Sequence, residues 1–261
     1  ITNERVQDEF SKMLTCKHPV MAMELLRKTG AMHYVIPELE ETYSMTQNEY
    51  HFGTVWEHTM VVLEGTKDDN MILRISALLH DIGKIRVCTE EDGKIHFLKH
   101  ELKSGEMIDE LLRPLKFSNE IIKEVTFLVR NHMICKTWGS ECEYMKDKKL
   151  RRLQYECKTE ERFRNLMTII DADNNAYAAD KCMPKQVEFI LSRTEAMKAE
   201  GSAMFGYKLP LTGKEIMDLK GIKPGSAVKE CLDYLMKIAF VNPLRKKEEF
   251  VKHLLGYRLQ K

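Results

Sequence analysis

The sequence predicts an all-α, mainly helical protein: a helical bundle with one small β-hairpin, followed by a small helical tail domain. Of its 261 residues, 31% are charged and 16 are Met, whereas only 13 are Gly and 7 are Pro. Good helix formers therefore outnumber the turn residues that all-β chains need. Apolar residues also recur at helical spacing along most of the chain. A hydrophobic share of 43% over this length is enough for a sizeable core.

Helical spacing begins close to the start of the chain. Apolar positions predict a first helix and then a second one that stops at Gly30. After a looser stretch from Ile36 to Gly53, another helix is predicted from Val55 to Leu63. The turn-like residues 67–70 then cap a helix from Met71 to Leu79, in which nearly every residue is apolar. We expect this helix to be buried on most sides.

The only clear strand signal surrounds Asp92-Gly93, a dipeptide that tolerates positive φ. Two short runs, Ile85–Cys88 and Lys94–Leu98, flank it and predict a hairpin. Helical spacing then resumes, with Ser118 as a predicted N-cap. Further helices are predicted at Glu101–Leu112, Ser118–His132, about Leu150–Tyr155, Glu160–Ala179 and after Met183-Pro184.

A glycine-containing loop from Gly201 to Leu211 is the best candidate for a domain boundary. We therefore expect an N-terminal helical body over residues 1–50, a metal-binding domain over residues 51–200 and a helical tail over residues 201–261. Because the chain begins with Ile1 and enters helical spacing at once, we expect it to be part of a longer protein.

Charge and cysteine content limit the classes of partner and compartment. A formal net charge of +1 gives no global field toward nucleic acid or anionic membranes, so any polyanion must be met by local patches. Seven scattered cysteines without a C-x-x-C pair argue against a disulfide framework and a thiolate zinc site, and fit a reducing cytoplasm. No apolar run approaches the ~18 residues that span a bilayer. We expect a soluble cytoplasmic protein with no membrane partner.

Six ionisable residues fall on or directly after the apolar faces of five predicted helices. They are His58, His80, Asp81, His100, His132 and Asp173. A single histidine on an apolar face is more often a hydrogen-bonded core residue than a ligand. Several buried imidazoles and two carboxylates together are costly, however, and a shared divalent cation removes that cost. The pattern therefore predicts a metal site.

The predicted donors are imidazole and carboxylate groups, without thiolate. This set suits Mn, Fe, Co, Ni or Mg with open coordination positions better than a closed structural zinc site. A cation with open positions lowers the pKa of bound water and neutralises phosphate oxygens, so phosphate-ester hydrolysis follows. Gly83 is expected to end the preceding helix in a left-handed conformation and to leave Lys84 beside the site. Lys84 either pairs with a phosphate or only complements the helix dipole.

The order His58, then His80-Asp81-Ile82-Gly83-Lys84, then a distant Asp173 resembles the HD superfamily of metal-dependent phosphohydrolases. The resemblance implies that His58, His80, Asp81 and Asp173 are ligands, and that His100 and His132 serve a second metal or the substrate phosphate. One or two ions are therefore expected, with Asp81 and Lys84 as catalytic residues. Asp171 competes with Asp173 as the last ligand, but the apolar stripe and the usual Ala-Asp spelling of the family favour Asp173.

A second resemblance covers nearly the whole chain. The segments 47–51, 55–59, 100–101 and 128–132, and the tail from Leu211 to Gly225, are similar to HD-containing bacterial tRNA nucleotidyltransferases, which add CCA. The polymerising head of that family needs a Gly-Ser phosphate turn and paired strand aspartates, which are absent here. Two functions follow as alternatives: an HD phosphohydrolase region, or a non-catalytic tRNA-binding body whose catalytic head lies outside this chain.

Candidate substrate contacts lie at Lys84, His51, Arg151 and Arg152. The two arginines belong to a basic cluster that could follow an RNA backbone, and Arg245 to Lys247 form another. Solvated helix faces explain both clusters equally simply. The expected partners are thus a phosphate ester or nucleotide and, as a further candidate, tRNA.

Overall fold

The computed structural model describes residues 1–47, 53–66, 69–135, 146–177, 183 and 185–259. It is mainly helical with one small two-stranded antiparallel sheet, which confirms the predicted fold class. Within the described residues, no helix is both long and apolar enough to cross a membrane. The chain divides into two compact units, Ile1–Ser140 with Arg164–Val187, and Glu141–Phe163 with Glu188–Lys261. The three-segment division expected from the sequence stays a prediction.

The first unit contains the helices that precede and surround the predicted site, together with the hairpin. A 3₁₀ turn at Ala31–Tyr34 follows the second helix. The helices are α1 (Asn3–Thr15), α2 (Pro19–Lys28), α3 (Glu38–Glu41), α4 (Val55–Gly65), α5 (Met71–Leu79), α6 (Lys84–Val87), α7 (His100–Leu112) and α8 (Asn119–Asn131). The strands are β1 (Thr89–Glu91) and β2 (Lys94–His96).

Local capping explains where the central helices of this unit begin. The side chain of Thr54 accepts a hydrogen bond from the Glu57 backbone N–H, and the Glu57 carboxylate accepts one from the Thr54 backbone N–H, which forms a capping box at the start of α4. Asn70 caps α5 by accepting from two backbone N–H groups, as the sequence predicted. Seven of the nine residues of α5 are buried, which confirms that this helix lies in the core.

The predicted hairpin is present, but its first strand was misplaced. Asp92 and Gly93 both have positive φ and form the turn, and Thr89 pairs with His96. Residues 85–87, predicted as strand, instead continue the turn that follows α5 and form α6, where the backbone N–H of Cys88 bonds the carbonyl of Lys84. The β-branched run favoured a strand, but the helical continuation buries Lys84.

The second unit has its own apolar core. Its helices are α9 (Asp147–Cys157), α12 (Gly213–Lys220), α13 (Ser226–Val241) and α14 (Lys247–Gly256), while α10 (Glu160–Asn175) and α11 (Lys185–Ala199) continue from one unit into the other. We call its buried apolar cluster the tail core. It consists of Met204, Leu211, Ile216, Cys231, Leu235, Met236, Ala239, Phe240, Phe250 and Leu254.

Candidate metal centre

The six predicted ligand residues meet in one buried cluster of the first unit, which we call the ligand cluster. His58 lies within α4, His80 and Asp81 follow α5 directly, His100 begins α7, His132 ends α8 and Asp173 lies near the end of α10. All six are buried, and His100, at 8% exposure, is the most accessible. The apolar stripes therefore placed these side chains on the correct helix faces.

The Asp81 carboxylate lies at the centre of the ligand cluster. Its Oδ2 is 3.2 Å from His80 Nε2 and 3.6 Å from His58 Nε2. Its Oδ1 is 3.0 Å from His100 Nε2 and 3.7 Å from His132 Nε2. One carboxylate thus faces two histidine pairs, with one oxygen toward each.

Asp173 adds a second carboxylate to one of the two pairs. Its Oδ1 is 3.2 Å from His58 Nε2 and 4.0 Å from His80 Nε2. Two overlapping groups could therefore hold a metal ion, with ligand atoms all within 4.8 Å of one another. They are His58, His80 and Asp173, and His80, Asp81 and His132.

Backbone carbonyls hold the four imidazole rings in the orientation that ligands need. The Nδ1–H groups of His80, His100 and His132 donate to the carbonyls three residues earlier, at 2.8, 2.9 and 2.7 Å, respectively. His80 and His132 directly follow their helices, where the last carbonyls lack intrahelical partners. His58 Nδ1–H donates to the Ala176 carbonyl at 3.4 Å. Each neutral ring therefore presents the bare lone pair of Nε2 to the cluster.

The residues fit a bound cation. His58 Nε2 and His80 Nε2 lie 3.3 Å apart, and two lone pairs at that distance repel unless a proton or a metal ion lies between them. His132 Nε2 is buried and has no hydrogen-bond partner among the described residues. Of the two carboxylates in the cluster, Asp81 pairs with the ammonium of Lys84 at 2.7 Å. A divalent cation would satisfy these nitrogens and balance the charge.

Burial and charge act in opposite directions on the pKa values of the cluster. Burial alone would raise the pKa of Asp81, but His80, Lys84 and His100 outweigh it and hold that pKa well below its usual value. Burial would lower the pKa of His80, yet attraction from Asp81 and Asp173 raises it overall. Burial and the neighbouring histidines lower the pKa of His132 to about 3. Asp81 is thus ionised and His132 neutral around neutral pH, as metal ligands must be.

Lys84 lies beside the ligand cluster, as expected, but Gly83 is not left-handed. The Lys84 Nζ donates to Asp81 Oδ2 at 2.7 Å and to Gln47 Oε1 at 2.6 Å. Gly83 has a φ of −66°, which any residue can adopt. Glycine is needed because a Cβ would lie 2.6 Å from the His100 carbonyl oxygen, in the close packing against α7.

The other predicted substrate contacts are in different positions. His51 lies outside the described residues. Arg151 belongs to the second unit, is buried there, and donates to the Val241 carbonyl at 2.9 Å. Arg152, in the same unit, is exposed and pairs with Glu156. Asp171 is partly exposed on α10. A substrate-binding role for the two arginines stays a prediction.

Two residues near the cluster were missed as individual candidates. Gln47 accepts a hydrogen bond from Lys84, and the Tyr177 ring packs edge-on against His58, with ring centroids 5.9 Å apart. Tyr177 lies four positions after Asp173, so helical spacing could have found it. Gln47 has no such signal, because its contact with Lys84 depends on tertiary packing.

Comparison with known proteins agrees with this geometry. Residues 48–174 match the family model described as "HD domain", and residues 1–42 match one described as "Probable RNA and SrmB- binding site of polymerase A". The six ligand residues all fall within the first match.

Two of the curated relatives are named tRNA nucleotidyltransferases. The chain is 25% identical to the CC-adding tRNA nucleotidyltransferase of Thermus thermophilus, over 98% of this chain and 57% of that protein. It is 27% identical to the A-adding tRNA nucleotidyltransferase of Deinococcus radiodurans, over 88% of this chain and 52% of that protein. A multifunctional CCA protein of Paraburkholderia phymatum is 33% identical over 49% of this chain and 31% of its own length. The chain thus spans little more than half the length of the first two relatives.

Proposed function

Because the chain contains an HD domain and resembles tRNA nucleotidyltransferases, we propose that it is an HD-type, divalent-metal phosphohydrolase region. Its substrates would be a phosphomonoester, a 2′,3′-cyclic phosphate or a nucleotide. The observation that carries this proposal is the Asp81 carboxylate, which is buried and faces two histidine pairs, one with each of its two oxygens. A core that only stabilised the fold would gain nothing from this arrangement, because burial of charged groups is costly.

We assign His58, His80, Asp81 Oδ2 and Asp173 to one ion. His100 and His132 would bind a second ion together with Asp81 Oδ1, or would themselves contact the phosphate of the substrate. The nitrogen and oxygen donors suit Mn, Fe, Co, Ni or Mg. When bound, such a cation supplies a nucleophile near neutral pH and neutralises phosphate charge in the transition state.

Other groups of the chain orient the metal ligands and balance the charge of the site. The backbone carbonyls fix the four rings, so that the ligand atoms need no rearrangement. Asp81 lies between the two histidine pairs, and the Lys84 ammonium pairs with its carboxylate. We propose that Lys84 also provides the charge that a phosphate group meets on entering the cluster.

An assay of the whole chain tests the proposal. Mn²⁺, Co²⁺, Ni²⁺ or Mg²⁺ is supplied with cyclic and linear phosphate esters, and turnover is compared for the wild type, His80→Ala and the exposed control His18→Ala. We expect metal-dependent hydrolysis that His80→Ala abolishes and His18→Ala leaves intact. Absence of turnover with every metal, or equal turnover in the two variants, would rule out the enzymatic proposal.

A second candidate function is supported by the relatives. The match of residues 1–42 to an RNA-binding segment and the names of the nucleotidyltransferase relatives favour tRNA as a partner. In that case the ligand cluster would bind a metal ion or only stabilise the fold, and nucleotide addition would need a part outside this chain. Tight binding of tRNA that weakens steeply with salt, together with no phosphatase activity, would favour this candidate.

A further inference from the structure

The ammonium group of Lys84 is buried, and its described contacts include three groups of different kinds. Lys84 is 1% exposed. Its Nζ lies 2.7 Å from Asp81 Oδ2, 2.6 Å from Gln47 Oε1 and 5.2 Å from the centroid of the Phe97 ring. The Asp81 oxygen that it contacts also faces His58 and His80, so the position of Nζ affects the same oxygen that a cation would use.

The orientation of the Gln47 amide follows from its two neighbours. Its Nε2 donates to the Thr54 carbonyl at 3.1 Å while its Oε1 accepts from Lys84. The flipped amide would set an NH₂ group against an ammonium and an oxygen against a carbonyl, and both contacts are repulsive. An antiparallel bridge pairs the backbone of Thr46, next to Gln47, with that of Thr54. Gln47 is therefore a rigid acceptor.

We propose that Gln47 is a positioning residue of the metal centre. Its amide oxygen, a second acceptor for Nζ, fixes the direction from which the Lys84 ammonium approaches Asp81 Oδ2. The carboxylate then keeps its orientation, with a lone pair left for a cation held with His58 and His80. This inference rests on the proposed metal-dependent function and extends it to a residue outside the ligand set.

The physical reason is competition for one oxygen. An ammonium and a divalent cation both bind Asp81 Oδ2, so an ammonium that turned toward the lone pair facing the histidines would weaken the binding of the metal. A neutral amide acceptor on the other side of Nζ limits this competition without adding a charge. Loss of the amide should therefore lower metal affinity through Lys84.

A double-mutant cycle on the full chain measures this coupling. The metal-free protein is titrated with Mn²⁺ by calorimetry for the wild type, Gln47→Leu, Lys84→Met and the double variant. We expect Gln47→Leu to weaken Mn²⁺ binding about tenfold, as is typical when a partner of a ligand is lost. In the Lys84→Met background the same change should alter affinity by less than about twofold.

Two further variants separate positioning from folding. Gln47→Glu keeps an oxygen for Lys84 and should bind Mn²⁺ more tightly than Gln47→Leu, although its second oxygen faces the Thr54 carbonyl. Thr46→Ala changes the adjacent exposed side chain and should match the wild type. Circular dichroism confirms that each variant is folded. Wild-type affinity in Gln47→Leu, an equal loss in both Lys84 backgrounds, or a Gln47→Glu variant as weak as Gln47→Leu would each overturn this inference alone. If the wild type binds no Mn²⁺, the proposed function falls as well.

Discussion

The ligand cluster and the tail core are both closed to solvent, but opposite kinds of side chain fill them. Imidazoles and carboxylates occupy the ligand cluster, whereas the tail core is apolar, with Leu235 and Phe250 fully buried. Charged side chains of the tail, such as Glu215 and Lys247, pair at the surface instead. Burial of hydrocarbon stabilises the tail core directly. The ligand cluster is favourable only when a cation or protons balance its charges.

The largest expected effect is on catalysis, from a single carboxylate. Asp173→Asn keeps the shape of the side chain but removes a charged ligand. We expect metal-dependent phosphate-ester hydrolysis to fall about a thousandfold, because cation stabilisation of the transition state is worth several kcal/mol. Steady-state rates with saturating Mn²⁺ measure the loss.

Asp171→Asn is the matched control for this prediction, since Asp171 lies two residues earlier on the same helix and is partly exposed. We expect its rate to remain within about threefold of the wild type. If Asp171→Asn were the inactive variant and Asp173→Asn the active one, the assignment of the last ligand would be reversed.

The next effect, on stability, belongs to the tail core. Leu235→Ala should lower the free energy of unfolding by roughly 3 kcal/mol, from lost burial and the cavity left behind. Urea denaturation measures this change, and Mn²⁺ titration of the folded variant should give the wild-type affinity. A Leu235→Ala variant that lost metal affinity as Asp173→Asn does would contradict the contrast between the two regions.

The smallest effect is the stabilisation of the fold by metal and its dependence on pH. Mn²⁺ at a hundred times its Kd should raise the free energy of unfolding by about 2.7 kcal/mol. The pKa of His80 is raised in the folded protein, so a proton stabilises the metal-free fold at low pH and the metal must displace it. Metal stabilisation should therefore shrink as the pH falls through the titration of His80.

Urea midpoints with and without Mn²⁺, at about pH 8 and about pH 5.5, measure this trend. The Leu235→Ala variant should show the same increment as the wild type at each pH. An increment that grows on acidification would be incompatible with histidine ligands.

Much of the ligand cluster could be predicted from the sequence, because its residues obey helical spacing. Each ligand on an apolar stripe points to the core, and several helices with such residues must share that core. His100, Ser104 and Ile108 are four residues apart and so share one helix face, and all three are buried. Asp173 was separated from Asp171 by the same argument.

What the sequence could not give depends on contacts between distant segments. The role of Gly83 comes from the close approach of α7, not from its own conformation. Residues 85–87 have a strand propensity that tertiary packing overrides. Gln47 contacts Lys84, 37 positions away, and no periodicity links the two.

The hydrogen bonds that orient the histidine rings bear on how fast the proposed site would take up a metal ion. For His80, His100 and His132 the accepting carbonyl lies three residues earlier, so each ring is turned by its own stretch of chain. A cation of the proposed kind would therefore meet these three rings already in position. His58 differs, because its acceptor is 118 positions away. The proposed site would thus be complete only when the end of α10 has packed against α4.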